Sequence, residues 1–94
     1  MKKKEIYNIL IKLLKRHNVS KIAVFGSYAR NEESAESDVD IIVNFTNRKT
    51  LLDLVEIESE LEEAIGKKVD LLTEHSINPN RKKYIEQDLK VIYS

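Results

Sequence analysis

The chain has 94 residues, in which 16 lysines and arginines balance 16 aspartates and glutamates, so its formal net charge is zero. This length allows one compact core, which we expect to be a single domain over residues 1–94, and the charge balance argues against nucleic acid as a partner. The absence of cysteine excludes disulfides and thiol chemistry, and no apolar stretch approaches the roughly 20 residues of a membrane span, so we expect a cytoplasmic protein.

The first elements are predicted to be a helix and a buried strand. Over residues 3–17 the apolar side chains recur at three- and four-residue spacing, which predicts an amphipathic helix. Val19–Phe25 is β-branched and apolar, as is typical of strands buried on both faces. Gly26 then breaks the strand, and we expect Ser27 to cap a short helical turn that runs through Arg30.

A second strand and a long helix follow. Val39–Phe45 has the composition of a strand, and Thr50 is the expected N-cap of a helix over residues 51–65 that ends at Gly66. The outer face of that helix is strongly acidic, and we expect it to be solvated. Its acids are Glu56, Glu58, Glu60, Glu62 and Glu63.

The last third of the chain is predicted to contain a strand over residues 67–72, a loop over 75–80 and a helix over 81–89. Residues 91–93 could add a closing edge strand. This order of elements indicates an α/β (α+β) fold, with a small mixed sheet of three to four strands flanked by helices.

Three aspartates are expected to meet at one end of this sheet. Side chains alternate between the faces of a strand, so Asp38 and Asp40 share one face, and Asp70 has the same orientation in the third strand. If the two strands are neighbours, the three carboxylates converge. Two carboxylates about 4 Å apart repel by about 4 kcal/mol at an effective dielectric near 20, so they need a shared proton or a bound cation. Oxygen ligands without histidine or cysteine favour Mg²⁺ or Mn²⁺.

The Gly26-Ser27 turn has groups that suit a phosphate. Glycine lets the backbone approach a ligand, the N–H groups of a helical turn point at an anion, and the serine hydroxyl adds a donor. Each feature alone has a simpler interpretation, since a Gly-Ser pair is usually only a turn and an Asp-x-Asp pair is usually solvated surface. The functional interpretation depends on their combination, which comprises Gly26, Ser27, Arg30, Ser37, Asp38, Asp40 and Asp70.

Other site classes do not fit the sequence. With Gly26 and Gly66 as the only glycines, neither a dinucleotide-binding G-x-G-x-x-G motif nor a Walker A loop is present. Ser27 lacks the G-x-S-x-G context of a serine hydrolase, and only His17 and His75 could act as bases.

The segment Gly26-Ser27-x-Ala29-Arg30, followed by Ser37-Asp38-Val39-Asp40, resembles the signature of the DNA polymerase beta-type nucleotidyltransferase superfamily. The short length resembles the minimal nucleotidyltransferases of that superfamily. The resemblance covers almost the whole chain and implies a nucleotidyltransferase palm.

The resemblance also implies roles for these residues. Gly26, Ser27, Arg30 and Ser37 would bind the nucleotide. Asp38, Asp40 and Asp70 would be the catalytic, metal-binding residues, with Mg²⁺ or Mn²⁺ as cofactor, and Asp70 would help to deprotonate the attacking hydroxyl. The reaction would be an in-line attack on the α-phosphate of a nucleoside triphosphate, with ATP as the first choice and pyrophosphate leaving.

The acceptor implied by the resemblance is a tyrosine of a HEPN-domain toxin, which would make this chain the antitoxin of a toxin–antitoxin pair. A chain of 94 residues has little surface to enclose both base and acceptor, which independently favours a partner chain that completes the pocket. Three alternatives stay open. They are transfer to a small molecule of aminoglycoside type, neutralisation of a toxin by contact alone, and a nucleic-acid module based on lysines near the N-terminus such as Lys2, Lys3 and Lys4.

Overall fold

The computed structural model describes all 94 residues. Its elements are α1 Lys3–Lys15, β1 Val19–Phe25, α2 Gly26–Ala29, β2 Val39–Phe45, α3 Leu51–Ile65, β3 Val69–Thr73, a 3-10 turn Glu74–Ser76, α4 Pro79–Gln87 and β4 Lys90–Tyr93. The predicted α/β (α+β) class is therefore confirmed. None of the helices combines the length and apolarity needed to cross a bilayer.

The four strands form one mixed sheet in the order β3-β2-β1-β4. Strand β1 runs antiparallel to both β2 and β4, whereas β2 and β3 are parallel. Parallel strands need a long crossover connection, and α3 provides it. The predicted closing strand is present as β4 at one edge, and β3 forms the other edge.

Helices cover the two faces of the sheet unequally. On one face, α1 and α3 bury a large apolar cluster that includes Leu10, Ile41 and Leu61. On the other face, α4 contributes a single buried side chain, Ile85, to a small cluster with neighbours such as Ile42. The face that carries α4 is also the face of Asp40 and Asp70, so the region around these two residues has only a light helical cover.

The predicted start of the short helix after β1 is wrong. Helix α2 begins at Gly26, with Phe25 in the N-cap position, so Ser27 lies inside the helix and does not cap it. Gly26 has a φ of 72°, which turns the chain at the end of β1. Its carbonyl already accepts a hydrogen bond from the Arg30 N–H at 3.2 Å, so the helical turn is closed from the glycine onwards.

The predicted start of the last helix is wrong as well. Helix α4 begins at Pro79 and not at residue 81. The Asn78 side chain caps it by accepting a hydrogen bond from the Asn80 N–H at 2.9 Å, and proline suits the first helical position. The predicted loop over residues 75–80 is correspondingly shorter.

The predicted ends of α3 are confirmed. The Thr50 side chain accepts from the Asp53 N–H at 3.1 Å, and the Asp53 carboxylate accepts from the Thr50 N–H at 2.9 Å. Gly66 ends the helix in the left-handed conformation. These signals are local, which explains why the sequence pattern alone locates them.

The acidic face of α3 is only partly solvated, so that expectation is wrong for Glu58 and Glu62. Their carboxylates accept hydrogen bonds from β3, Glu62 from the N–H group of Val69 at 2.9 Å and Glu58 from that of Leu71 at 3.0 Å. Since β3 is an edge strand, these two glutamates satisfy N–H groups that would otherwise be open to pairing with another chain.

Candidate active site

Asp40 and Asp70 are neighbours across the parallel pair β2–β3. They are register partners, and both lie half-buried on the face opposite the buried residues Val39 and Val69. Asp38 is exposed and immediately precedes β2. The second and third strands are thus neighbours, which is the condition for the predicted convergence of the carboxylates.

The carboxyl group of Asp40 lies in an unfavourable electrostatic environment. Burial raises its pKa above the ordinary value, and the negative charges of Asp70 and then Asp38 raise it further. The positive charges of Arg81 and Arg30 act on this pKa in the opposite direction. Asp40 is therefore the centre of a local excess of negative charge, which a cation would relieve.

Gly26 lies directly against Asp40. Phe25, the residue before it, is the register partner of Asp40. A Cβ atom on Gly26 would stand 2.4 Å from Oδ2 of Asp40, and the φ of 72° is itself unfavourable for other residues. The sequence suggests a glycine that admits a phosphate, and the structure adds that this glycine makes room for the Asp40 carboxylate.

Arg30 and Ser37, both predicted to bind the nucleotide, are engaged within the protein. The Arg30 guanidinium contacts the carboxylates of Asp88 at 3.2 Å and Glu32 at 3.5 Å, and the Asp88 bond raises its pKa. The Ser37 hydroxyl accepts a hydrogen bond from the Ser34 N–H at 2.8 Å. Arg30 thus ties the end of α2 to the end of α4, and Ser37 shapes the loop that leads to the aspartates.

Ser27 lies beside this group on α2 and is half-buried. Its carbonyl accepts a hydrogen bond from the Glu32 N–H at 2.9 Å, which fixes the exit of the helical turn. Ser27 and Gly26 therefore belong to a turn that is held at the end of β1, next to Asp40.

Arg81 is a residue that the sequence analysis does not single out. Its guanidinium lies 3.8 Å from Oδ2 of Asp70, and its side chain is 57% exposed. Arg81 stands one helical turn before Ile85, the buried residue of α4, so the docking of that helix brings it to the aspartates. No local pattern indicates this position, because the placement of α4 depends on the tertiary packing.

The donor set suits a hard divalent cation. Asp38, Asp40 and Asp70 offer carboxylate oxygens only, which Mg²⁺ and Mn²⁺ prefer. No three acidic or histidine side chains of the chain are gathered closely enough to hold an ion by themselves. The predicted convergence is therefore a pairing of Asp40 with Asp70, with Asp38 near enough to act on the pKa of Asp40. A cation here would need water and substrate phosphates to complete its shell, as Mg²⁺ usually does.

The site is an open surface at one end of the sheet. Asp38, Arg30 and Arg81 are all exposed, and the cavities of the molecule are lined by other residues. The aspartates and the turn at Gly26 therefore lie on an open surface and not in an enclosed cavity.

Known proteins are similar to this chain over most of its length. Residues 8–94 match the family described as polymerase beta, nucleotidyltransferase. A protein of Methanocaldococcus jannaschii that is provisionally named a protein adenylyltransferase is 52% identical over 75 residues, which are 80% of this chain and 81% of that protein. The protein adenylyltransferase MntA of Thermococcus cleftensis is 45% identical over 65 residues, which are 69% of this chain and 66% of that protein.

Solved structures share the fold. A chain in a crystal structure of a toxin–antitoxin with AMP-PNP has a TM-score of 0.85 and 26% identity, over 94% of this chain and 73% of that chain. A second structure holds a tri-AMPylated HEPN toxin of Shewanella oneidensis in complex with an MNT antitoxin. Its matching chain has a TM-score of 0.81 over 99% of this chain and 73% of that chain, and at 23% identity it is a likeness of fold alone. The family match over nearly the whole length, together with these relatives, shows that the chain belongs to the polymerase beta nucleotidyltransferase family and is a nucleotidyltransferase.

Proposed function

We propose that this chain is an Mg²⁺-dependent protein adenylyltransferase that transfers AMP from ATP to a tyrosine hydroxyl of a HEPN-domain toxin, and that it acts as the antitoxin in the cytoplasm. The observation that carries the proposal is the register pairing of Asp40 with Asp70, next to the turn at Gly26. That arrangement combines an oxygen-only cation site with backbone donors for a phosphate.

The choice of nucleotide and acceptor rests on the relatives. Proteins up to 52% identical to this chain are named protein adenylyltransferases, which supports AMP as the transferred group and a protein as the acceptor. The toxin–antitoxin structure with the related chain was solved with AMP-PNP, an analogue of ATP, which supports ATP as the donor. Mn²⁺ is the alternative cation, since the same oxygen ligands suit it.

The residues of the chain have distinct parts in the transfer. Asp38, Asp40 and Asp70 would hold the cation together with water and the phosphates of the nucleotide, and the cation would supply neutralisation of the phosphate charge. The Asp70 carboxylate accepts the proton of the acceptor hydroxyl as the hydroxyl oxygen forms a bond to the α-phosphorus. The bond between the α-phosphorus and the bridging oxygen breaks, and pyrophosphate leaves with that oxygen. The N–H groups of α2 and the Ser27 hydroxyl donate hydrogen bonds to the phosphates.

The acceptor protein would also complete the site. The aspartates stand on an open surface, with the exposed side chains of Arg30 and Arg81 near them. Catalysis of phosphoryl transfer depends mainly on positioning and on exclusion of water, which a bound partner would provide.

The proposal is tested by incubating the chain with α-labelled ATP, Mg²⁺ and the product of its neighbouring gene, which is the candidate toxin. We expect label on the toxin with the wild-type chain, and none with Asp38→Asn. Glu36→Gln is the matched control, since it removes one negative charge from an exposed position in the same loop. Equal labelling by wild type and Asp38→Asn, or labelling by neither, would refute the enzymatic assignment.

Further arms of the same assay separate the alternatives. A toxin in which the labelled tyrosine is replaced by phenylalanine should take up no label. Neutralisation of the toxin that survives Asp38→Asn and Asp40→Asn together would instead show antitoxin action by contact alone. Label that appears on an added aminoglycoside and not on the toxin would point to a small-molecule acceptor.

A further inference from the structure

The guanidinium of Arg81 is positioned to meet a ligand at the aspartates. It approaches Oδ2 of Asp70 to 3.8 Å, and its positive charge acts on Asp40 as well. Its side chain is 57% exposed, so solvent or a ligand can reach it. Because Ile85 anchors α4 one turn further on, Arg81 is held on the side of the helix that faces the site.

Arg81 is also the less engaged of the two arginines at this end of the sheet. Arg30 contacts two carboxylates and donates to Asp88 at 3.2 Å. Arg81 contacts the single carboxylate of Asp70, at 3.8 Å, a distance beyond that of a good hydrogen bond. Arg81 can therefore turn to a new partner without losing a hydrogen bond, whereas Arg30 cannot.

We propose that Arg81 is a nucleotide-binding residue whose guanidinium moves from Asp70 to the α-phosphate of the bound nucleotide. The inference rests on the proposed function, which provides the nucleoside triphosphate. A triphosphate that enters beside Asp38, Asp40 and Asp70 meets a strongly negative surface, and a nearby arginine offsets that repulsion. The planar fork of arginine can donate two parallel hydrogen bonds to phosphate oxygens.

The α-phosphate is the phosphate closest to Arg81 in this scheme. Asp70 receives the proton of the acceptor hydroxyl, so a group beside Asp70 lies where the acceptor meets the α-phosphorus. The outer phosphates extend towards the turn at Gly26, which adjoins Asp40. Arg81 would consequently contact AMP as well as ATP.

The test measures the Kd values of ATP and AMP in Mg²⁺ by calorimetry for the wild type, Arg81→Gln and Arg81→Lys. The matched control is Lys82→Gln, which removes the same charge from the adjacent residue, whose amino group pairs with Glu86 at 3.9 Å. We expect Arg81→Gln to raise both Kd values about tenfold or more, the size expected for a hydrogen bond to a charged group. Arg81→Lys should have an intermediate effect because it keeps the charge and loses the fork, and Lys82→Gln should have none.

A second arm repeats the measurements in an Asp70→Asn background, with thermal melts to verify folding. If Arg81 binds the phosphate directly, Arg81→Gln weakens binding there too. An effect that disappears in that background would overturn the proposal, since Arg81 would then act only by neutralising Asp70. Loss of ATP binding without loss of AMP binding would overturn the assignment to the α-phosphate. Unchanged binding by Arg81→Gln would refute this inference alone, whereas a wild type that binds no ATP either alone or with the acceptor protein bound would refute the proposed function as well.

Discussion

Gly26 lies so close to Asp40 that a single methyl group on its Cα would stand 2.4 Å from the carboxylate oxygen Oδ2. The contact follows from the register of the antiparallel pair β1–β2, in which Phe25 faces Asp40. The bare backbone of the glycine is therefore what allows the Asp40 carboxylate to occupy its place in the site.

Replacing this glycine tests the contact. Gly26→Ala should displace the Asp40 carboxylate and strain a backbone that has a φ of 72°. A displacement of about 1 Å in such a site can lower the rate about 100-fold, and the backbone strain costs about 1 to 2 kcal/mol. We expect a loss of this order in labelled AMP transfer, together with lower stability in urea denaturation.

Gly66→Ala is the matched control for Gly26→Ala. Gly66 has nearly the same backbone conformation, with a φ of 69°, but nothing lies within 4 Å of a Cβ atom there. The control should lose about 1 to 2 kcal/mol of stability from backbone strain and keep its transfer rate. If both variants lose activity equally, the contact with Asp40 is not the cause.

The raised pKa of Asp40 predicts a stability gain on its neutralisation. The folded state holds this proton more tightly than the unfolded state, because burial and the charges of Asp70 and Asp38 disfavour the ionised form. The contribution of Asp40 to the free energy of unfolding is therefore fully present below the pKa that this carboxyl has in the unfolded chain. It is lost as the pH rises through the higher pKa that the carboxyl has in the folded state. At pH 7 without divalent cations, Asp40→Asn should raise the Tm by a few degrees and abolish transfer.

Glu36→Gln, at an exposed loop position, is the control for that charge change and should leave the Tm unaltered. The gain from Asp40→Asn should shrink as the pH is lowered through the raised pKa of Asp40, because the wild-type carboxyl then becomes protonated in the folded state. A Tm for Asp40→Asn below that of the wild type at pH 7 would contradict the electrostatic argument.

The glutamates that cover the β3 edge are expected to support stability and solubility. In Glu58→Ala the N–H group of Leu71 loses its acceptor, which lies at 3.0 Å. In Glu62→Ala the N–H group of Val69 loses its acceptor, which lies at 2.9 Å. Each change should cost about 1 kcal/mol, and the double variant should self-associate in analytical ultracentrifugation because its edge is open. The exposed Glu56 and Glu63 on the same helix provide control alanine variants, which should stay as stable and dispersed as the wild type.

The environment of Tyr7 predicts that the protein loses stability at alkaline pH. Its hydroxyl is buried without a hydrogen-bond partner, and this burial, helped by the charge of Glu33, raises its pKa to about 12. In the unfolded chain the phenol ionises near pH 10, so stability from this group falls as the pH rises from about 10 to about 12. Tyr7→Phe removes a buried hydroxyl that has no partner, so it should be at least as stable as the wild type at pH 7. Its advantage should widen at pH 11, by about a further half a molar in the urea midpoint.

The control for Tyr7→Phe is Tyr84→Phe, at a residue that is 73% exposed. That variant should follow the wild type at both pH values. An equal alkaline loss in Tyr7→Phe and the wild type would show that the buried phenol is not responsible.

Local patterns predict much of this fold. Strands Val19–Phe25 and Val39–Phe45, and the helix between Thr50 and Gly66, have the predicted bounds because composition, capping and glycine conformation act over a few residues. The start of α2 is not predicted by such local patterns, because the chain turns at Gly26 before Ser27 can cap the helix. The contacts on the acidic face of α3 are not predicted either. A solvated glutamate cannot be distinguished in sequence from one that accepts a hydrogen bond from the edge of a strand.

The sequence by itself determined the orientation of Asp40 and Asp70, since strand alternation puts both on the face opposite Val39 and Val69. The tertiary structure alone decided which atoms meet. It paired Asp40 with Asp70, set Gly26 against Asp40 and brought Arg81 to Asp70. The physical reason is that side-chain direction follows the local backbone period, whereas strand register and helix docking depend on how the apolar faces of the whole chain pack together.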